Sequence, residues 1–191
     1  MPGQKRKLPS ARVLRRLLDY DPETGKLTWK ERPVWMFAEG ARGRQVSANV
    51  WNGRNAGKQA FTSETSDGYR AGCILYKPVL AHRVAFAVYH ERWPEDEVDH
   101  ISGFRTDNRI ANLRNATGAQ NSKNQQRRSD NASGVTGVFW NSERSKWQAQ
   151  ITVQTVHLHL GLFDSFDDAV AARKAAELKY GFHLNHGRKP R

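Results

Sequence analysis

The spacing of apolar residues changes along the chain, and each period predicts a different element. From Val13 to Leu18 the apolar residues recur at helical spacing, whereas residues 26–30 alternate as a strand does. Residues 31–67 have no clear period, and their aromatic residues are scattered among Gly, Asn, Ser and Arg. We expect this part to be loop-rich, with small strands packed by the aromatic side chains.

The middle of the chain predicts a hairpin followed by a helix. Residues 68–76 alternate as a strand, Lys77–Pro78 has turn chemistry, and residues 79–82 form the returning strand. Residues 83–93 then have helical spacing, and Pro94 ends the helix.

A second motif of this kind follows, in the order strand, loop, strand, helix. Residues 97–101 form the first strand and residues 113–116 the second, separated by a polar loop. Thr117 and Gln120 have the spacing of a capping box and predict the start of a helix that carries Asn121. This order brings an acid, a histidine and an asparagine to one place.

The C-terminal part alternates three times and then becomes helical. A helix capped by Asp164 or Ser165 is predicted to run to Tyr180 and to end at Gly181. The three strands are expected at residues 135–140, 146–153 and 156–163. The predicted fold class is therefore α+β, with a three-stranded antiparallel sheet and a helix after the ββα unit.

The composition of the chain indicates the class of its binding partner. The 191 residues include 31 Lys and Arg against 19 Asp and Glu, for a net charge of +12. Such an excess favours a polyanion, and double-stranded DNA first. An anionic membrane is the alternative, but no basic helix has a large apolar face.

The single cysteine excludes an intrachain disulfide and a cysteine-based zinc site, which fits a reducing cytoplasm. We also expect no signal peptide or membrane span.

The polar residues of the ββα unit suit phosphodiester hydrolysis. His100 has a side chain that can take a proton from water near neutral pH. Asp99 and Asn121 offer hard oxygen ligands, which suit Mg²⁺ or Mn²⁺. The amide of Asn112 could orient His100 or brace the loop. Taken singly, each residue has an ordinary structural explanation, so the prediction rests on the four together.

This stretch, VDHISGFRTDNRIANLRNATGAQN, resembles the ββα-metal (His-Me finger) motif of HNH endonucleases from phages and introns. The resemblance implies that Asp99 and Asn121 are metal ligands, that His100 is the general base and that Asn112 is the central asparagine of the motif. Phe104 departs from the family, which more often has a polar residue there.

Several cations near this motif are candidates for gripping phosphates. His82 resembles a residue that precedes this helix in that family. It either approaches the scissile phosphate or the metal, or it is a satisfied core histidine, and the core histidine is favoured. The cations before and within the motif are Arg83, Arg105 and Arg109, and those after it are Lys123, Arg127 and Arg128.

Residues 134–182 resemble the Apetala-type (ethylene-response-factor) DNA-binding domain, by SGVTGVFWNSERSKWQAQI and LGLFDSFDDAVAARKAA. In that family the sheet enters the major groove. Arg and Trp contacts typical of the plant proteins are missing at Phe139, Asn141 and Thr152, so their target sequence is not carried over. A module for protein contacts is the alternative. The DNA-binding candidates are Asn141, Arg144, Lys146, Gln148, Gln150, Thr152, His157 and His159.

The sequence thus predicts a metal-dependent DNA endonuclease of phage or mobile-element type, a monomer or weak dimer that nicks one strand per active site in the host cytoplasm. A non-catalytic DNA-binding regulator is the alternative, and an RNA-binding protein is less favoured because no RNA-binding motif is present.

We expect five divisions along the chain. They are an N-terminal helix and loop-rich DNA-contacting segment (1–67), a nuclease domain (68–126, with its core at 97–126), a linker (127–133), the sheet module (134–182) and a basic tail (183–191).

Overall fold

The chain divides into two compact units, Met1–Asn115 and Ala116–Arg191. The structure, a computed structural model, describes residues 8–41 and 43–189, so the predicted N-terminal tail at residues 1–7 lies outside the described residues. The division falls inside the segment predicted as the nuclease domain, residues 68–126. No described helix is long and apolar enough to cross a membrane.

Among the described residues, the first unit contains three α-helices and most of the short strands. Its helices are α1 (Ala11–Leu17), α2 (Gly43–Asn55) and α3 (Ala81–Tyr89). Its strands are β1 (Leu18–Tyr20), β2 (Leu27–Trp29), β3 (Ser63–Glu64), β4 (Arg70–Ile74), β5 (Lys77–Leu80), β6 (Glu97–His100) and β7 (Leu113–Ala116), the last of which ends at the first residue of the second unit. They pair as β1–β2, β3–β4–β5 and β6–β7.

One apolar core joins the two segments that the sequence analysis separated at residue 67. Leu14 and Leu17 of α1 are buried beside Ile74 of β4 and Val84 of α3. Helix α1 begins at Ala11, two residues before the apolar repeat that predicted it, and the Ser10 side chain caps it by accepting a hydrogen bond from the Val13 backbone N–H. The N-terminal segment is thus part of the body that carries the predicted nuclease residues.

Helix α2 corrects the prediction of a loop-rich segment at residues 31–67. Its sequence is poor in strong helix formers, and only Ala48 is buried. Tertiary contacts hold it instead. The Asn52 side chain accepts from the Arg32 backbone N–H and donates to the Arg32 carbonyl, each at 3.0 Å. The Arg32 guanidinium lies 3.7 Å from the centre of the Trp51 ring.

The hairpin before α3 also differs from its prediction. The turn is formed by Leu75 and Tyr76, and Lys77 already pairs with Ile74 as the first residue of β5. Pro78 lies within that strand, opposite Cys73. Helix α3 starts two residues earlier than expected, so His82 lies in its first turn and not at the end of a strand.

The second unit is built on a three-stranded antiparallel sheet. Its elements are α4 (Gly118–Ser122), β8 (Val138–Asn141), β9 (Lys146–Val153), β10 (Val156–Phe163) and α5 (Phe166–Lys179). The strand order is β10–β9–β8. Strands β9 and β10 have the predicted bounds, and Ser165 caps α5 as predicted, by accepting from the Asp167 and Asp168 N–H groups.

A buried ion pair, which was not predicted from the sequence, supports this sheet. Arg173 of α5 is 3% exposed and Glu177 is 7% exposed. The Arg173 guanidinium donates to Glu177 Oε1 at 3.0 Å and to the Gln150 carbonyl of β9 at 2.6 Å. Gly137 has a φ of 78°, and a Cβ atom there would collide with both Gln150 and Arg173. Helix and sheet are therefore joined by polar bonds as well as by apolar packing.

The segments predicted as a linker and a basic tail are hydrogen-bonded to each other. The Arg127 N–H donates to the Arg188 carbonyl at 2.9 Å, and the Gly187 N–H of the predicted tail donates at 2.9 Å to the carbonyl of Gln125, which lies just before the predicted linker. Helix α4, which carries Asn121, ends before these segments, at Ser122. Residues 127–133 and the described part of 183–191 are thus structural parts of the second unit.

Candidate active site

The first unit gathers two histidines and an aspartate at the end of β6. Asp99 and His100 are the last residues of this strand, and both are buried. His82, in the first turn of α3, is 4% exposed, and its ring centre lies 4.9 Å from that of His100, with the two rings nearly perpendicular. Tyr69 packs against both, with ring centres 5.1 Å from His82 and 5.8 Å from His100.

A hydrogen bond sets the orientation of His100. Its Nε2 atom lies 3.1 Å from the side-chain oxygen of Asn108, a buried residue. Because that oxygen only accepts, Nε2 carries the proton, and Nδ1 is the nitrogen with the lone pair. The Asn108 carbonyl in turn accepts from the Tyr20 hydroxyl at 2.7 Å. Asn108 was missed by the sequence analysis, although it lies in the predicted polar loop, four residues before Asn112.

Burial controls the charge of both histidines. It lowers the pKa of His100, although the Asn108 hydrogen bond and Asp99 act in the opposite direction. The pKa of His82 is lowered further, to about 3, by burial first and then by His100 and Arg83. Both rings are therefore neutral at neutral pH, which is the state in which an imidazole accepts a proton.

Asn112 braces the loop between β6 and β7. Its side-chain oxygen accepts from the Ser102 N–H at 2.8 Å, and its amide donates to the Asp107 carbonyl at 2.8 Å. Its own carbonyl accepts from the Ile101 N–H at 2.8 Å. Of the two functions considered from the sequence, these bonds correspond to bracing the loop.

Asp99 is held by an arginine that the sequence analysis did not single out. Arg114 of β7 donates to Asp99 Oδ2 through Nε at 3.0 Å and through Nη2 at 2.8 Å. A carboxylate accepts at two oxygens, so it can serve Arg114 and a cation together. Within residues 8–41 and 43–189, no three His, Cys, Asp or Glu side chains cluster as a metal cage would require.

The predicted arginines of the first unit have different environments. Arg83 donates to the Asp96 carbonyl at 3.1 Å, and Arg105 lies over the Tyr69 ring at 4.9 Å and donates to the Asp67 carbonyl. Arg109 forms a two-point ion pair with Asp107, at 2.8 and 2.6 Å, and lowers the pKa of that carboxyl. Part of its charge is thus compensated within the loop.

The remaining residues of the predicted site belong to the second unit. Asn121 lies in α4, whose capping box is formed as predicted by Thr117 and Gln120. Lys123 donates to the Tyr180 carbonyl at 2.8 Å, Arg127 donates to the Gly134 carbonyl, and Arg128 pairs with Asp130.

The sheet of the second unit collects the predicted DNA-binding residues on one face. Facing pairs across β8 and β9 are Asn141 with Lys146 and Phe139 with Gln148, and across β9 and β10 they are Gln150 with His159 and Thr152 with His157. These positions alternate with buried Val138, Ala149 and Ile151, so they lie on the side away from the core. Arg144 lies in the β8–β9 turn, where its N–H donates to the Asn141 side chain.

The first unit thus places a buried histidine, oriented by an amide, beside an aspartate. Residues 79–123 match the family model described as HNH endonuclease. The chain therefore contains an HNH endonuclease family domain over these residues, which include both histidines, Asp99, Asn112 and Asn121.

One curated relative matches part of the chain. Protein 3.8 of Escherichia phage T7 is 35% identical over 57 residues, which are 30% of this chain and 47% of that protein. The chain thus spans about half the length of this relative. No solved structure matches the chain.

Proposed function

We propose that this protein is a metal-dependent DNA endonuclease that cuts one strand at each active site. The observation that carries the proposal is the neutral His100, oriented by Asn108, beside Asp99 within the HNH family domain. The net charge of +12 supports a nucleic acid as the substrate.

In the proposed reaction His100 removes a proton from water through Nδ1, while Asn108 holds the proton on Nε2. The water oxygen forms a bond to phosphorus as the bond to the 3′ oxygen breaks. Asp99 would hold one divalent ion, Mg²⁺ or Mn²⁺, which when bound neutralises charge on the phosphate and on the leaving oxygen. The assignment of Asn121 as a second ligand rests on the sequence resemblance.

The outward sheet face of the second unit supports a further part of the proposal, namely DNA recognition by this module. Amide, hydroxyl and imidazole groups of Gln148, Gln150, Thr152, His157 and His159 are types that read base edges. Replacement of Gln150 and His159 by Ala should weaken DNA binding, as measured by fluorescence anisotropy. Leu178, which is 72% exposed on α5, provides the matched control Leu178→Ala.

Conversion of supercoiled plasmid in Mg²⁺, Mn²⁺ or EDTA tests the catalytic proposal. We expect nicked circles with either metal and no product in EDTA, with linear DNA appearing only after nicks accumulate. Metal-independent cutting, or linear DNA as the first product, would contradict the proposal. DNA retarded in a gel but never cut would favour the non-catalytic regulator.

A further inference from the structure

The turn between β4 and β5 carries two large residues in an unusual conformation. Leu75 and Tyr76 have φ values of 47° and 64°, and they form a two-residue connection between paired Ile74 and Lys77. Both central residues of such a turn need positive φ, which Asn-Gly adopts most readily. Bulky residues are strained there, and strain of this kind is often found where a side chain serves a function.

These two residues are also displayed on the surface. Tyr76 is 90% exposed and Leu75 is 37% exposed. A tyrosine of this exposure contributes almost nothing to the core. The turn therefore presents apolar surface to solvent at a position where a small polar pair would be more stable.

Tyr76 borders a groove on helix α2. The groove has a volume of about 370 Å³ and is lined by Phe37, Val46, Val50, Trp51, Arg54 and Tyr76, among others. Val46 and Val50 are 46% and 44% exposed and lie one helical turn apart. The hairpin tip and α2 thus form one continuous surface of exposed apolar and basic side chains.

The positive charge of this surface favours DNA as its partner. Residues 40–63, which include all of α2, contain no Asp or Glu. Arg54 and Lys77 flank the groove and the tip, and neither forms an ion pair with the residues that the structure describes. Uncompensated cations around apolar side chains suit the phosphates and bases of DNA better than the face of another protein.

We infer that the β4–β5 tip is a wedge that enters a groove of duplex DNA, where Tyr76 packs against a base step and partly unstacks it. Arg54 and Lys77 would bind the flanking phosphates. This inference rests on the proposed function, because it names how the substrate of that nuclease is held and distorted.

The test is one double variant, which should keep or raise the stability of the protein but weaken its binding to DNA. In Leu75→Asn/Tyr76→Gly the turn gains its preferred residues, so the melting temperature should stay the same or rise. DNA affinity should fall about tenfold or more, since stacking of one base on an aromatic side chain is lost. A short duplex with 2-aminopurine at TA steps, in EDTA, reports both affinity and unstacking.

The second hairpin offers a matched control. Gln154 and Thr155 connect β9 and β10 with φ values of 49° and 72°, in the same kind of two-residue turn. Gln154→Asn/Thr155→Gly should raise stability in the same way and leave the 2-aminopurine signal unchanged. If the first double variant misfolds, the single variant Tyr76→Ser gives the same readout.

Unchanged affinity and fluorescence in Leu75→Asn/Tyr76→Gly, with nicking by the wild type intact, would overturn the wedge and leave the proposed function standing. Loss of self-association in this variant by analytical ultracentrifugation, with DNA binding unchanged, would overturn it in favour of a second copy of the chain. A wild-type protein that neither binds nor cuts DNA would remove the proposed function and the wedge together.

Discussion

At the scale of single residues, the proposed reaction depends on the hydrogen bond between His100 Nε2 and Asn108, which leaves Nδ1 as the proposed base. Asn108→Ala removes the oxygen that holds Nε2–H, so the ring loses its preferred tautomer and orientation. We expect the nicking rate to fall about 10- to 100-fold, the range typical of residues that orient a ligand or base. The bond from Tyr20 to the Asn108 backbone remains, but the buried Nε2–H loses its acceptor, so the free energy of unfolding should fall by about 1–3 kcal/mol and rates are compared well below the melting transition.

The control for this variant is Asn131→Ala in the second unit, because the Asn131 side-chain oxygen likewise accepts a hydrogen bond, from the Gly134 backbone N–H at 2.8 Å. Single-turnover cleavage rates compare the two proteins. A rate for Asn108→Ala equal to that of the wild type would show that Asn108 does not orient the base.

The order and types of residues in the local ββα pattern, with the family resemblance, predicted Asp99 as a metal ligand, His100 as the base and Asn112 as the central asparagine, and these assignments stay predictions. The sequence did not identify Asn108, Arg114 or Tyr69. Arg114 contacts Asp99 only once two strands pair, and Tyr69 reaches His100 only through folding of a distant hairpin. Contacts between residues far apart in sequence leave no periodic signal, so partners of catalytic residues are harder to predict than the residues themselves.

At the scale of elements, helix α2 is held by contacts outside itself. Asn52→Ala breaks both bonds to the Arg32 backbone and leaves a half-buried N–H and carbonyl without partners. The free energy of unfolding should fall by about 1–3 kcal/mol, the usual cost of an unsatisfied buried polar group. Hydrogen exchange should accelerate across residues 43–55 first.

The matched control for α2 is Asn49→Ala, because Asn49 is exposed and bonds only to Gln45 within the same helix. Urea unfolding of both variants measures the difference. Equal stabilities for the two would mean that the Arg32 bridge does not hold the helix.

The same elements show why local patterns succeed in some places and fail in others. Strand β9 alternates strictly between its two faces, so its bounds were predicted correctly. Helix α2 has weak helix formers and one buried residue, so its own sequence did not predict it. It is stabilised by the contact of its Trp51 with Arg32, a residue outside the helix. Pro78 suggested a turn, but it occupies a strand position while the tip is formed by Leu75 and Tyr76.

At the scale of the whole molecule, buried neutral histidines make stability depend on pH. His186 of the second unit lies beside Arg173, which donates to its Nε2 at 3.2 Å. Burial first lowers its pKa to about 4, Glu177 opposes that shift, and Arg173 and Lys174 add to it. Because the unfolded chain has a histidine pKa near 6.5, unfolding takes up a proton below that pH. Stability should therefore be full above pH 6.5 and decline as the pH falls toward 4.

His186→Gln tests this dependence, since a glutamine oxygen can still accept from Arg173 but does not titrate. The melting temperature of the variant should fall less between pH 7 and pH 5 than that of the wild type. An equal decline in both proteins would show that His186 is not the group responsible.

The central claim is that His100 activates water for strand cleavage. The most direct measurement is the rate of plasmid nicking in Mg²⁺ by the wild type, by His100→Ala and by His90→Ala, an exposed histidine of the same unit. We predict that His100→Ala binds DNA as the wild type does but nicks it at least about 100-fold more slowly, since loss of a general base costs about 10²–10⁴ in rate. His90→Ala should nick normally. Equal nicking by His100→Ala and the wild type would contradict the assignment of the base.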